Sequence, residues 1–203
     1  MKKSIRRMMI CAVFAVLCWG FFLIKDKMSL SKGLIRFHVV ANSNSQEDQR
    51  IKLTVRDAVL SSIQADLQAI SDIDNAKEYL QDSIPKIQIL VEQTLMELGY
   101  HGPSTVSFCK EQFDVRHYDT FSLPAGVYDS LRIVIGEGLG RNWWCVSFPT
   151  LCLPATVSEF QDVAVGAGFS DSLVRTLSGD EAYEIRFFFL DQLGKLENIL
   201  LGK

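Results

Sequence analysis

Apolar and polar positions along the chain fall into a few distinct patterns, and each predicts a different kind of element. Met8 to Ile24 carries no charged residue and follows a start that holds Lys2, Lys3, Arg6 and Arg7, which predicts an apolar helix behind a basic flank. The run from Leu34 to Ala41 is rich in β-branched and aromatic residues and ends in Asn42-Ser43-Asn44-Ser45, so it predicts a strand closed by a turn cluster. Ser45-Gln46-Glu47-Asp48 matches a capping box, in which the Ser oxygen accepts from a free helix N–H and the acid answers the Ser N–H. Behind it Ile51, Val55, Val59, Ile63, Leu67 and Ile70 recur every three or four positions, the buried stripe of a helix of about five turns. A second helix is expected from about Asn75 to Leu98, with Leu80, Ile84, Ile87, Val91 and Leu95 inward. Pro85 should split or kink it, with Ser83 capping the second piece, and Gly99 should stop it.

From Thr105 onward the pattern changes to strands and turns. Thr105 to Phe108 alternates polar and apolar in the period of a half-buried strand, Leu123-Pro124-Ala125-Gly126 reads as a turn, and Ser130 to Ile135 as a second strand. A glycine-punctuated loop, Gly136 to Gly140, leads into an extended segment from Asn142 to Pro149. The stretch from Ala155 to Ser178 has weak periodicity and reads as a variable insertion. Tyr183 to Leu190 reads as a last strand and Asp191 to Leu201 as a closing helix. Strands and helices without regular βαβ alternation predict an α+β fold: a small mixed or antiparallel sheet packed against two or three helices, preceded by the apolar N-terminal helix. A chain of 203 residues supports one domain with a real core. The expected division is therefore a signal peptide or anchor over 1–24, a polar linker over 25–32 and a single domain over 33–203.

The apolar helix changes the picture most, because it places the domain outside the cytoplasm. At 1.5 Å per residue the seventeen positions from Met8 to Ile24 reach roughly 25 Å, short of a hydrocarbon core of about 30 Å, so length fits either a cleaved signal or a retained anchor. The following stretch offers only Ser29 and Ser31 as small residues for a cleavage site. Setting aside the four basic residues of the first seven leaves 17 Lys and Arg against 24 Asp and Glu, a net of −7. An acidic exported domain argues against nucleic acid or an anionic membrane surface as its main partner, since both need a basic face. Cys109, Cys145 and Cys152 remain in the domain, and in an oxidising compartment the nearest couple, Cys145 with Cys152, is the expected disulfide. No cysteine or histidine pair stands at zinc-ligand spacing, and no metal or cofactor is expected.

Candidate chemistry is sparse. Strand alternation sets Arg36 and His38 on one face with Asn42 at the strand end, a cationic fork and a titratable ring able to hold a carboxylate or other anion. The plainer reading is a solvated face or a structural bond to an acid such as Asp48. Cys145 with His38 is the one appealing thiol–base couple, but a disulfide would consume the nucleophile. Gly136-x-Gly138-x-Gly140 lacks the Lys-Ser/Thr ending of a phosphate loop. In Asn142-Trp143-Trp144-Cys145 the two rings must point to opposite faces of an extended chain, so one can enter the core while the other serves as a binding hot spot; local packing of both is the alternative.

These same segments resemble the stage II sporulation protein R family. The resemblance rests on Ile35-Arg36-Phe37-His38-Val39-Val40-Ala41-Asn42-Ser43-Asn44-Ser45 running into Lys52-Leu53-x-Val55-Arg56-Asp57-Ala58-Val59. It rests equally on Leu123-Pro124-Ala125-Gly126-x-Tyr128, Leu131-Arg132-Ile133, and Asn142-Trp143-Trp144-Cys145 through Phe148-Pro149-x-Leu151-Cys152. Cys109 and Leu153-Pro154 depart from the family pattern. The resemblance implies a signalling protein rather than an enzyme. Such a protein is exported into the space between forespore and mother cell, either secreted or held by its N-terminal helix. There it activates a membrane-embedded aspartic protease, stage II sporulation protein GA, which processes the precursor of the early mother-cell sigma factor. Arg36, His38, Asn42, Asn142, Trp143 and Trp144 are the expected contact or support residues. A cell-wall hydrolase or a septal-space adaptor, acting on the protease indirectly, is the alternative.

Overall fold

The structure, a computed structural model, describes residues 2–149, 156–180 and 184–201. The element order is α1 (Lys2–Gly33), β1 (Ile35–Val40), α2 (Gln46–Ala69), α3 (Ile73–Glu97), β2 (Ser104–Phe113), β3 (Arg116–His117), β4 (Ser122–Leu123), β5 (Gly126–Ile135), β6 (Asn142–Phe148), α4 (Val157–Gly166), α5 (Asp171–Leu177) and α6 (Glu184–Leu201). This is an α+β fold around a mixed four-stranded sheet in the order β2-β5-β1-β6. Strand β1 runs parallel to β5 and antiparallel to β6, and β2 runs antiparallel to β5. The short β3–β4 ladder stands apart as a second sheet.

The two faces of the sheet carry separate cores. Ile35, Phe37 and Val39 of β1, with Leu131 and Ile133 of β5, meet the inward stripes of α2 and α3. On the opposite face Leu23 and Leu30 of α1, Tyr128, Val146, Phe160 of α4, Leu173 and Val174 of α5 and Leu190 of α6 form the other cluster. A strand buried on both sides reads as a continuous apolar run, which is why β1 is legible in the sequence. Every β1 residue is buried, Arg36 and His38 included.

Several elements differ from their expected form. Helix α3 is continuous through Pro85 and is capped by Asp72, whose side chain accepts from the Asn75 N–H. Pro85 is exposed, so the carbonyl it leaves without an N–H partner can bond water, and the buried Leu80 and Ile87 on either side hold the helix in one piece. The capping box at Ser45 is half present. Ser45 accepts from the Asp48 N–H, but its own N–H donates to Ser43 Oγ, and the Asp48 carboxylate instead accepts from Ser43 and Asn42. Residues 25–32, expected as a linker, continue α1, with Leu30 fully buried. The stretch read as an insertion holds α4 and α5, each with an N-cap and buried apolar residues.

Glu184 to Leu190, read as strand, is the first part of α6. Its seven residues, apolar but for Glu184 and Arg186, have no clear period of their own, and tertiary packing decides. Phe187, Leu190 and Leu193, three apart, turn toward the same core, and Gly194 lies so close to the Ala125 carbonyl that no Cβ fits there.

Two substitutions in α3 separate packing from backbone propensity. Leu80→Ala, at a fully buried site, is expected to cost about 2–5 kcal/mol. Pro85→Ala, at an exposed helix-interior site, is expected to raise stability by about 1–3 kcal/mol. Urea denaturation followed by circular dichroism checks both. A loss of stability on replacing Pro85 would contradict the continuous helix.

Candidate functional site

Strand period two brings a row of polar and aromatic side chains together on the sheet face opposite α2 and α3. Register places Arg36 beside Ser130, and His38 between Arg132 of β5 and Trp144 of β6. On the far side of β5, Ser107 lies opposite Arg132 and Glu111 opposite Tyr128. Residues paired across strands share a face, so Arg36, His38, Trp144, Glu111 and Tyr128 converge.

His38 is the centre of this row. Its Nε2 lies 2.6 Å from Glu111 Oε2, while Glu111 Oε1 accepts from Arg132 Nη1 at 3.2 Å. The imidazole stacks on Trp144 with ring centroids 4.6 Å apart and planes 5° apart, and the Arg116 guanidinium lies over the same indole at 4.7 Å. Phe113 meets both rings edge-on. Burial works to raise the Glu111 carboxyl, but the hydrogen bond and charge of His38, with Arg132, outweigh it and hold Glu111 below its ordinary value. Trp144 is half-buried, fixed from several sides rather than projecting freely.

Arg36 lies deeper and is fully buried. Its guanidinium is 4.4 Å from the Phe113 ring centroid and 5.4 Å from that of Tyr128. One nitrogen donates to Tyr118 Oη at 2.9 Å, and Nε and Nη1 have no hydrogen-bond partner among the described residues. Burial pulls this guanidinium below its ordinary value, with Tyr118 and Tyr128 pulling the other way. Aromatic faces here take the place of a carboxylate. Neither Arg36 nor His38 turns to Asp48, because the sheet interior lies between them and the start of α2, and Glu111 and Tyr118 are nearer. Arg36 is therefore a supporting residue beneath the aromatic surface.

The other expected site residues lie elsewhere. Trp143 is on the opposite face, edge-on to Phe37 at 5.9 Å and covered by the Arg56 guanidinium at 4.8 Å. The two indoles thus point to opposite faces, as alternation requires, and both are packed locally. Asn142 opens β6 opposite Val40 and is half-buried. Asn42 belongs to a clamp: its Oδ1 accepts from the Glu137 N–H at 3.0 Å and its Nδ2 donates to Asp48. Asn44 likewise accepts from the Arg141 N–H. These bonds tie the Gly136–Gly140 connection to the start of α2, where Gly136 and Gly138 have φ of 62° and 67°. Cys145 is buried and pairs in register with Phe37, so it faces away from His38 and no thiol–imidazole couple forms. Its expected partner Cys152 lies outside the described residues. Cys109 is exposed, and partial burial and Glu111 push its thiol up.

Glu111, Arg132, Arg116, Phe113 and Tyr118 are site residues that the sequence pattern did not single out. Strand β2 reads as ending at Phe108 because Lys110-Glu111-Gln112 is polar. The signal was there in the period: Ser107, Cys109, Glu111 and Phe113 occupy alternate positions of one strand. Arg116 and Tyr118 sit on or beside a two-residue ladder too short to show any period.

Two measurements test this cluster. Because Glu111 is held below its unperturbed value of 4.5, its ionised form favours the fold. That contribution is complete above roughly pH 4.5 and disappears as pH falls through the lowered folded value. Glu111→Gln is expected to cost about 1–3 kcal/mol at pH 7 and to flatten the decline of stability on acidification, followed by urea midpoints from roughly pH 6 to pH 3. An unchanged acid slope would remove Glu111 from the cluster. Trp144→Ala is expected to cost about 2–4 kcal/mol by losing the His38, Phe113 and Arg116 contacts, read from the same midpoints.

Comparison with known proteins adds to this geometry. A family model described as Stage II sporulation protein R matches residues 31–158, a stretch that holds all six strands and every site residue named above. Stage II sporulation protein R of Bacillus subtilis (strain 168) is 36% identical over 118 residues, 58% of this chain and 53% of that protein. The match thus spans about half the length of that relative. No solved structure matches the chain. The sheet, its Trp144 face and the family match coincide over the same residues, and with them comes a role in sporulation: the chain belongs to the stage II sporulation protein R family.

Proposed function

We propose that the domain is an exported signal of endospore formation that switches on a membrane-embedded aspartic protease, stage II sporulation protein GA. That protease in turn processes the precursor of the early mother-cell sigma factor. The observation that carries this reading is the coincidence of the family match, residues 31–158, with a preorganised aromatic surface on an edge strand. β6 is the last strand of the sheet, and an edge strand offers backbone groups to an incoming strand of a partner. Its first residues, Asn142, Trp143 and Trp144, are only half-buried, whereas Cys145 to Phe148 are buried. Contact is therefore concentrated at the Asn142 end, supported from below by His38 and Arg36. A partner that binds this edge shifts toward its active state only by preferring the bound form in that state.

The direct test is to produce the full chain together with the protease and the sigma-factor precursor in a host that does not form spores, and to follow precursor cleavage. Replacing Asn142 and Trp143 by Ala together is expected to lower processing at least tenfold with the circular dichroism spectrum unchanged. His38→Ala should weaken it less, by loosening Trp144. Processing that proceeds equally without the chain overturns direct activation. Complete loss on replacing His38, with partner binding intact, would favour the hydrolase reading instead.

A further inference from the structure

Helix α6 turns a long apolar stripe to solvent. Ile185, Phe188, Phe189, Leu196, Ile199 and Leu200 are all exposed, from 39% to 75%. Ile185, Phe189, Leu196 and Leu200 fall four or seven residues apart, with Phe188 and Ile199 flanking them on the same side of the helix and Gln192 and Lys195 between. The opposite side of α6 carries the buried Leu190, Asp191 and Gly194 side of the contact with β5. A stripe of this size on an otherwise acidic domain needs a cover.

The cover is identified by what α6 touches. Phe189 meets Trp19 of α1 edge-on at 4.9 Å, and Trp19 lies inside the one helix among the described residues long and apolar enough to cross a membrane. The charge-free run ends at Ile24, ahead of Lys25, Asp26 and Lys27, so Trp19 sits five residues, or about 7 Å, inside it. Any membrane that holds α1 thus reaches the level of Phe189. The ion pairs between the two helices, among the described residues, are Arg186 with Asp26 and Lys27 with Glu197 at 2.8 Å. Along α1 the touched positions run 19, 26, 27, while their partners run 189, 186, 197. That order fits neither a parallel nor an antiparallel pair, so α6 lies across α1. A helix across a membrane-normal helix lies near the membrane plane, at the depth of about 5–10 Å typical of interfacial helices. A tryptophan at that level is also the usual interfacial residue.

The same contacts bear on whether α1 stays. Leu23 and Leu30 are buried in the domain core, and Asp26 and Lys27 are buried against α6 and Tyr128. A cut at Ser29 would remove Leu23, Asp26 and Lys27, a cut at Ser31 would take Leu30 as well, and either would leave Arg186 and Glu197 without these ion-pair partners.

We propose that α1 is retained and that the exposed stripe of α6 is seated in the outer leaflet of the membrane that α1 crosses, so the domain is held against the lipid surface by two helices. Both helices lie wholly or largely outside the matched residues 31–158, and the proposal is independent of which protein the β6 edge contacts. The test uses the full chain in phosphatidylethanolamine/phosphatidylglycerol vesicles, a lipid-phase carbene photolabel and peptide mass mapping. The expected result is label on residues 185–200 several-fold above that on the exposed side of α2, alongside strong label on residues 8–24. Phe188→Glu with Ile199→Glu should drop the α6 label to the α2 level while leaving the 8–24 label and the circular dichroism spectrum unchanged. Intact mass of the chain recovered from producing membranes should include α1. Label confined to 8–24 overturns the proposal, as does α6 protection seen only where cross-linking reveals dimers, or a recovered chain that begins after residue 24.

Discussion

Strand β1 has neighbours on both edges and helices on both faces, and the rest of the molecule is arranged to satisfy it. Its odd-numbered residues fill the core under α2 and α3, which any apolar side chain of suitable size would do. Its even-numbered residues set a harder condition, since Arg36 and His38 are buried where a charge is costly. Phe113, Tyr118 and Tyr128 surround the Arg36 guanidinium, and Glu111 answers His38. That requirement explains why β2 continues as far as Phe113 and why the β3–β4 segment folds back over the sheet. It also explains why Trp144 is rigid: its ring is held between groups that are themselves held by β1.

Rigidity of this kind suits recognition. An aromatic side chain already locked by stacking loses little freedom on binding, so more of its contact energy reaches the complex. The neighbouring β6 edge places that surface beside the half-buried Asn142 end of the strand. The Asn42 and Asn44 clamps hold the preceding loop in place, so the start of β6 is positioned from both sides.

The N-terminal helix joins this arrangement to its location. Behind its basic start, Met8 to Phe22 is apolar and largely exposed, while Leu23 and Leu30 are built into the second core. One helix therefore combines a segment long and apolar enough to cross a membrane with a structural element of the domain, and the ion pairs of Asp26 and Lys27 with α6 lie in the second of these. Burial on that side of the sheet depends on α1, α4, α5 and α6 together.

The amino-acid sequence alone determined those features that follow from local periodicity: the apolar run at the N-terminus, β1, the stripes of α2 and α3, the strands around Val106 and Ile133, and the opposed Trp143 and Trp144. In each of these the spacing of apolar residues already states which face is buried. The clustered residues around Arg36 and His38 were half legible, because alternation places both on one face but cannot say which strand supplies the opposing acid or aromatic cage. Tertiary structure decided that Glu111 does so through the β2–β5 register and Tyr118 from beside the β3–β4 ladder. It also decided that Pro85 leaves α3 whole, that Glu184 to Leu190 is helix and that residues 25–32 are packed helix. In all three, local preference was weak or mixed, and burial against a distant element supplied the larger free energy.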